Sequence, residues 1–132
     1  MIPPFDEIGY LPPGVHPATL DEIDARFGQL SEVRRVQMES VRWMIDLAKR
    51  AGVQRIILNG SFVTDIIEPI DVDCVLLAAD SAVDLDAEEE LIEGLPFLAI
   101  SLVGPEDFDI LVNVTYASDR DCISKGMIEV VL

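Results

Sequence analysis

The sequence holds one histidine, two cysteines and one tryptophan in 132 residues. With His16 as the only imidazole, zinc sites and Ser-His or Cys-His nucleophile systems find no support. Cys74 and Cys122 read as buried reduced thiols, with a disulfide as the alternative. No stretch of about 18 uninterrupted apolar residues occurs, so no spanning helix and no membrane association is expected. The opening MIPPFDEIGYLPPG has no Lys or Arg and is broken by prolines. It does not read as a signal peptide, and a cytoplasmic location is the expectation. Basic residues are scarce too: Lys+Arg 9 against Asp+Glu 25, a formal charge of -16. So acidic a surface repels nucleic acid and anionic membrane unless its cations cluster. There is no internal repeat and no low-complexity tract.

What the chain has is apolar material. Hydrophobic residues make up 50% and the mean hydropathy is +0.34, which excludes disorder for the chain as a whole. The length fits one domain. Residues 1–18 hold five of the 8 prolines and read as an extended arm packed through Phe5, Tyr10 and Leu11, ahead of a domain over 19–132. Thr19 and Glu22 form a capping-box pattern, with Gly28 past the end, so 20–27 is expected to be a short helix. Ser31 can cap a second helix over about 32–50. Val33, Val36, Val41, Met44, Ile45 and Ala48 recur there at helical spacing, and Gly52 suits the stop. Trp43 is expected to pack on this helix, with stacking on a ligand as the alternative.

From residue 55 the pattern changes to short apolar runs. RIILN (55–59), VDCVLLA (72–78), FDILVNVT (108–115) and MIEVVL (127–132) read as strands, and FLAISLV (97–103) as a further candidate. DAEEELIEG (86–94) reads as a helix with an acidic first turn. Helices followed by strands with one inserted helix give an α/β or α+β fold around a mixed sheet.

The run from Asn59 to Asp73 carries the chemistry. Gly60-Ser61 directly follows a strand. There Gly60 permits close backbone approach, and exposed amides at a helix start favour a phosphate. Asp71 and Asp73 are two apart, so in a strand both carboxylates share one face while Val72 and Cys74 face the core. Adjacent carboxylates repel unless a cation or proton lies between them, and oxygen-only ligation suits Mg²⁺. The plain alternative is the solvent face of an edge strand. If the strand over 108–115 neighbours 72–78, Asp109 can join the pair. Three carboxylates then fit two-metal phosphoryl transfer, with one able to orient or deprotonate an attacking hydroxyl.

Gly60-Ser61, nine residues, then Asp71-Val72-Asp73 resembles the signature of the DNA polymerase β nucleotidyltransferase superfamily. The apolar strand before Gly60 and Val75-Leu76-Leu77 after Asp73 match its flanks. The pieces Leu11-Pro12-Pro13-Gly14-Val15-His16, Gly60-Ser61-Phe62-Val63-Thr64 and Lys125-Gly126-Met127-Ile128 resemble a small prokaryotic group of nucleotidyltransferase-like proteins. The resemblance implies a minimal nucleotidyltransferase fold, a mixed sheet with helices packed on it. It implies Gly60 and Ser61 at the nucleotide phosphates, Asp71 and Asp73 as Mg²⁺ ligands, and Asp109 by strand position as a third carboxylate. The implied activity is transfer of a nucleoside monophosphate from an NTP to a hydroxyl. Alternatively, the chain is a catalytically inactive module of that fold acting through a partner protein, as antitoxin-like members do. A third reading is a coincidental D-x-D on an unrelated acidic domain.

Charge is unevenly distributed. Residues 1–55 hold 7 basic and 8 acidic residues, whereas residues 56–119 hold 15 acidic residues and no basic one. Triphosphate binding therefore needs cations from the N-terminal half, from Arg120 or Lys125, or from a partner chain. Arg34, Arg35, Arg42, Lys49, Arg50 and Arg55 lie mainly along one helix, and pairing with the acidic half is the favoured expectation for them. This charge pattern disfavours nucleic acid as a partner. A homodimer is plausible for a small chain so rich in apolar residues.

Overall fold

The computed structural model describes residues 1–81 and 83–132. The capping residues act first. Thr19 and Glu22 close a reciprocal box at the start of helix α1, Leu20–Phe27. The Ser31 hydroxyl accepts the Arg34 amide at the start of helix α2, Glu32–Ala51. Gly52 ends α2 in the left-handed region with φ 80°, a conformation that favours glycine. The Asp84 side chain caps helix α3, Leu85–Glu93.

Among the described residues, five strands form one mixed sheet. They are β1 (Gly14–Ala18), β2 (Arg55–Asn59), β3 (Val72–Leu77), β4 (Leu98–Val103) and β5 (Gly126–Val130). The spatial order is β1-β5-β2-β3-β4. The β1–β5 and β3–β4 pairs are parallel, and β2 runs antiparallel to both β3 and β5. The protein is thus a mixed α/β fold. The stretch read as an extended arm supplies edge strand β1, and Leu11 just before it is fully buried. Phe5 packs on Phe27, and Arg26 donates to the carbonyls of Ile2 and Pro3.

Side-chain alternation divides the sheet into two apolar layers. Ile56, Leu58, Val72, Cys74 and Leu76 face the layer covered by α1, α2 and α3. Ile57, Val75 and Met127 face the other, covered by Phe108 and Val112. Those two residues are where the sequence expectation fails. The run 108–115 is not a strand: helix α4 spans Pro105–Ile110 and a π-helical turn spans Leu111–Thr115. Pro105 sits in the first turn with Glu106 and Asp107, where a missing amide and negative charge are tolerated best. Phe108, Leu111 and Val112 then recur at helical spacing and cover the sheet, while Asp109, Ile110, Asn113 and Val114 are exposed.

Three smaller expectations change as well. Cys74 is buried, but Cys122 is exposed; both are free thiols. Trp43 is half-exposed and Val36 faces solvent; Arg34, Gln37 and Met38 take the inward positions on that part of α2. The cations of the first half do not mainly pair with the acidic segment. Arg42 pairs with Asp24 and Arg55 with Glu129, and among the described residues only Arg50 makes an ion pair to that segment, through Asp84. No helix among the described residues is long and apolar enough to cross a membrane.

Because Leu11 belongs to the core, Leu11→Ala is expected to destabilise the whole domain by about 2–5 kcal/mol. Urea denaturation followed by circular dichroism measures this. A change below about 0.5 kcal/mol would show that the N-terminal segment is an appendage.

Candidate functional site

The segment joining β2 to β3 is held from behind by one face of α2. The Arg34 guanidinium is fully buried. It donates to the carbonyls of Phe27 at 3.0 Å, Phe62 at 2.7 Å, Thr64 at 2.8 Å and Ser61 at 3.4 Å, and its Nε reaches Ile66 at 2.9 Å. On either side of it, Ser31 Oγ donates to the Ile67 carbonyl and Gln37 Nε2 to that of Pro69. No carboxylate lies within ion-pair distance of Arg34 among the described residues. Burial pushes the guanidinium down to about 10, against a smaller opposing effect of Asp65. It therefore remains a cation at neutral pH, solvated by carbonyl dipoles in place of water.

Those bonds fix a short 3₁₀ turn, Gly60–Val63, at the end of β2. Gly60 lies at φ 77°, and a Cβ there would clash with Asp73 Oδ2. Only glycine allows Asp73 to stand this close to the turn. Asp73 is opposite Asn59 across the β2–β3 ladder. Burial raises the Asp73 carboxyl above its usual range, Asp71 raises it further, and Lys125 partly offsets both. Asn59 is fully buried with neither amide atom hydrogen bonded. It leaves unused hydrogen-bonding capacity beside Asp73.

Gly60, Ser61, Thr64 and Asp73 line a cavity of about 550 Å³, a size that suits a nucleotide-scale ligand. Besides Ile66 and Thr115, its wall draws on distant parts of the chain: Tyr10 from the N-terminal segment, and Ser118, Asp119, Arg120 and Lys125 from the segment before β5. Segment 117–125 folds back on itself through a Ser118–Ser124 bridge and a bond from the Lys125 amide to the Ala117 carbonyl. Asp119 Oδ1 accepts the amides of Asp121 and Ile123. The other carboxylate oxygen, Oδ2, accepts the Tyr10 hydroxyl at 2.7 Å. That bond lowers the Asp119 carboxyl and raises the Tyr10 hydroxyl from their ordinary values.

The sequence-predicted residues thus separate into two groups. Gly60, Ser61 and Asp73 meet at the cavity, with Asp71 close enough to act on Asp73. Asp109 does not join them. It lies on α4, exposed, where its charge acts on Arg55 and the neighbouring Phe108 ring stacks under that guanidinium at 4.9 Å. Arg55 pairs with Leu77 and Asn59 with Asp73, so Arg55 is four residues along the ladder from the cavity end. At about 3.3 Å per residue this is roughly 13 Å. Asp109 was placed by assuming a strand that is a helix. The strand actually beside β3 on that side is β4, Leu-Ala-Ile-Ser-Leu-Val, which has no carboxylate. Among the described residues, no three His, Cys, Asp or Glu side chains are grouped to share an ion. Tyr10, Ser118 and Asp119 had no local signal in the sequence; Arg120 and Lys125 had one only in the scarcity of basic residues around them.

The chain belongs to a family of unknown function, DUF6932, whose profile matches residues 3–131. No curated protein and no solved structure matches it.

Two substitutions test the loop anchor. Gly60→Ala must adopt a left-handed conformation and displace Asp73, so a loss of about 1–2 kcal/mol or more is expected. Arg34→Met strands several buried carbonyls, with an expected loss of at least about 3 kcal/mol. Both are read from urea unfolding midpoints, and an unchanged midpoint for Arg34→Met would remove the anchor from the account.

Proposed function

We propose that the cavity binds a nucleoside triphosphate with Mg²⁺ and that the protein acts as a nucleotidyltransferase, moving a nucleoside monophosphate to a hydroxyl acceptor. The observation that carries this reading is the convergence of Gly60, Ser61 and Asp73 on one nucleotide-sized cavity. That is what the Gly-Ser and Asp-x-Asp resemblance implies, and an accidental motif gives no reason for it. Asp71 and Asp73 would hold the cation. The donor set suits it, because two hard oxygen groups lie together and Asp73 is held in an environment that disfavours its lone negative charge. Bound there, Mg²⁺ would offset phosphate charge and polarise the α-phosphate. The chain's own part is positional. Gly60 admits the ligand's phosphates close to the backbone, and the Ser61 hydroxyl can donate to them. In the transfer, an acceptor oxygen would bond to the α-phosphorus as the α–β bridge breaks. Pyrophosphate would leave, and the hydroxyl proton would pass to a carboxylate of the pair or to solvent.

A specific observation favours a second reading. With β4 free of carboxylates, Asp109 at the other end of the sheet and Asp119 engaged by two amides and Tyr10, no third carboxylate is grouped with the pair among the described residues. A nucleotide-binding module that acts through a partner protein without turnover fits that arrangement.

Calorimetry with ATP, CTP, GTP and UTP, each with Mg²⁺, tests the binding step. The wild type is expected to bind at least one of them, and Asp71→Asn/Asp73→Asn to weaken that binding about tenfold or more. Identical titrations for the two proteins would sink the reading. Release of pyrophosphate with labelling of an acceptor separates the enzyme from the non-catalytic module.

A further inference from the structure

We infer that the folded-back segment 117–125, clasped to the N-terminal segment by Tyr10, is the cationic end of this cavity, and that Arg120 and Lys125 grip the polyphosphate of its ligand. This rests on the nucleotide reading above but assigns residues that the Gly-Ser and Asp-x-Asp pattern does not contain. Tyr10 is a positioning residue: it touches Asp119, and Asp119 shapes the turn that presents the cations.

The chain has 9 basic residues, and most are already engaged elsewhere in the fold. Arg26 and Arg34 bond to backbone carbonyls. Arg42, Arg50 and Arg55 pair with carboxylates. Arg35, Lys49, Arg120 and Lys125 have no ion pair among the described residues, and of these four only Arg120 and Lys125 belong to the segment before β5. Both line the one cavity that also contains Gly60, Ser61 and Asp73. Two uncommitted cations of a chain with charge -16 at one concave site have a simple physical use, which is to attract and hold an anion.

The cations are also held in place by groups with no other evident task. Asp119 could have paired with Arg120 or Lys125. Instead its two oxygens are occupied by the amides of Asp121 and Ile123 and by the Tyr10 hydroxyl. The Lys125 amide is fixed to Ala117, and the next residue, Gly126, donates to the Leu11 carbonyl. The N-terminal segment therefore holds this segment through the Tyr10 side chain and holds the residue that follows it, Gly126, through the backbone. Asp119 makes no ion pair with either cation among the described residues, although Lys125 acts on its carboxyl at longer range.

The test uses the full chain with sodium tripolyphosphate, Mg·ATP and adenosine as separate probes in calorimetry. Arg120→Gln/Lys125→Gln is expected to weaken tripolyphosphate and ATP binding on the order of tenfold per cation contact. The slope of log K against log salt should flatten by about 1–2, with the unfolding midpoint unchanged. Lys125→Arg, which keeps the charge, retains binding. Tyr10→Phe weakens binding several-fold and flattens the salt slope, which a merely structural tyrosine would leave alone. If wild-type ATP binding is unaltered in the double variant but lost in Asp73→Asn, this inference is overturned and the nucleotide reading stands. If tripolyphosphate binding depends on Arg120 and Lys125 while neither adenosine nor Mg²⁺ adds anything, the anion site stands and the nucleotide reading falls. If the wild type binds none of the probes, both are overturned.

Discussion

A buried cation without a carboxylate partner organises this molecule. Arg34 is surrounded by carbonyl oxygens from the segment between β2 and β3 and from the end of α1. Removing a guanidinium from water is costly, and only a nearly complete set of acceptors offsets it. The same bonds therefore satisfy the cation and immobilise the turn. Once the turn is fixed with its carbonyls towards α2, Gly60 comes against Asp73, and the cavity has a rigid floor. Ser31 and Gln37 extend the same contact along α2. Geometry at the site thus depends on a helix that contributes nothing to its surface.

The charge of the chain takes on a different meaning in three dimensions. Residues 56–119 hold 15 acidic side chains and no basic one, yet the cavity in this region is not uniformly negative. Topology brings Arg120 and Lys125 back to it, because the segment before β5 returns to pair β5 between β1 and β2. Lys125 lies near enough to Asp73 to oppose the effects of burial and of Asp71. A half-buried carboxylate, a lysine and an arginine at one concavity make a site with both signs of charge. Such a site suits a ligand that carries its own cation together with its own anion.

Much of the architecture was legible locally. Caps at Thr19 and Ser31 and the glycine after α2 marked two helices to within a residue, because capping chemistry acts over three or four positions. The strands around the Gly-Ser turn were legible from short β-branched runs. The run 108–115 carries two conflicting signals. Its composition of Ile, Val and Thr favours a strand, but its inward residues, Phe108, Leu111 and Val112, have helical spacing and a proline-led start. An uncovered sheet face decided between the two. Arg34 reads as one cation among several along its helix, since nothing near it in the sequence shows that carbonyls some thirty residues away surround it.

By itself, the sequence determined most of the elements and the mixed α/β class, because caps and apolar spacing act between neighbours close along the chain; β1 and α4 are the exceptions. Only the tertiary structure decided which charges meet. It moved Asp109 to the far end of the sheet and brought Tyr10, Arg120 and Lys125 to the cavity. The physical reason is that strand order is set by burial of two apolar faces across the whole chain. Residues 109 positions apart, such as Tyr10 and Asp119, become neighbours only after that burial is complete.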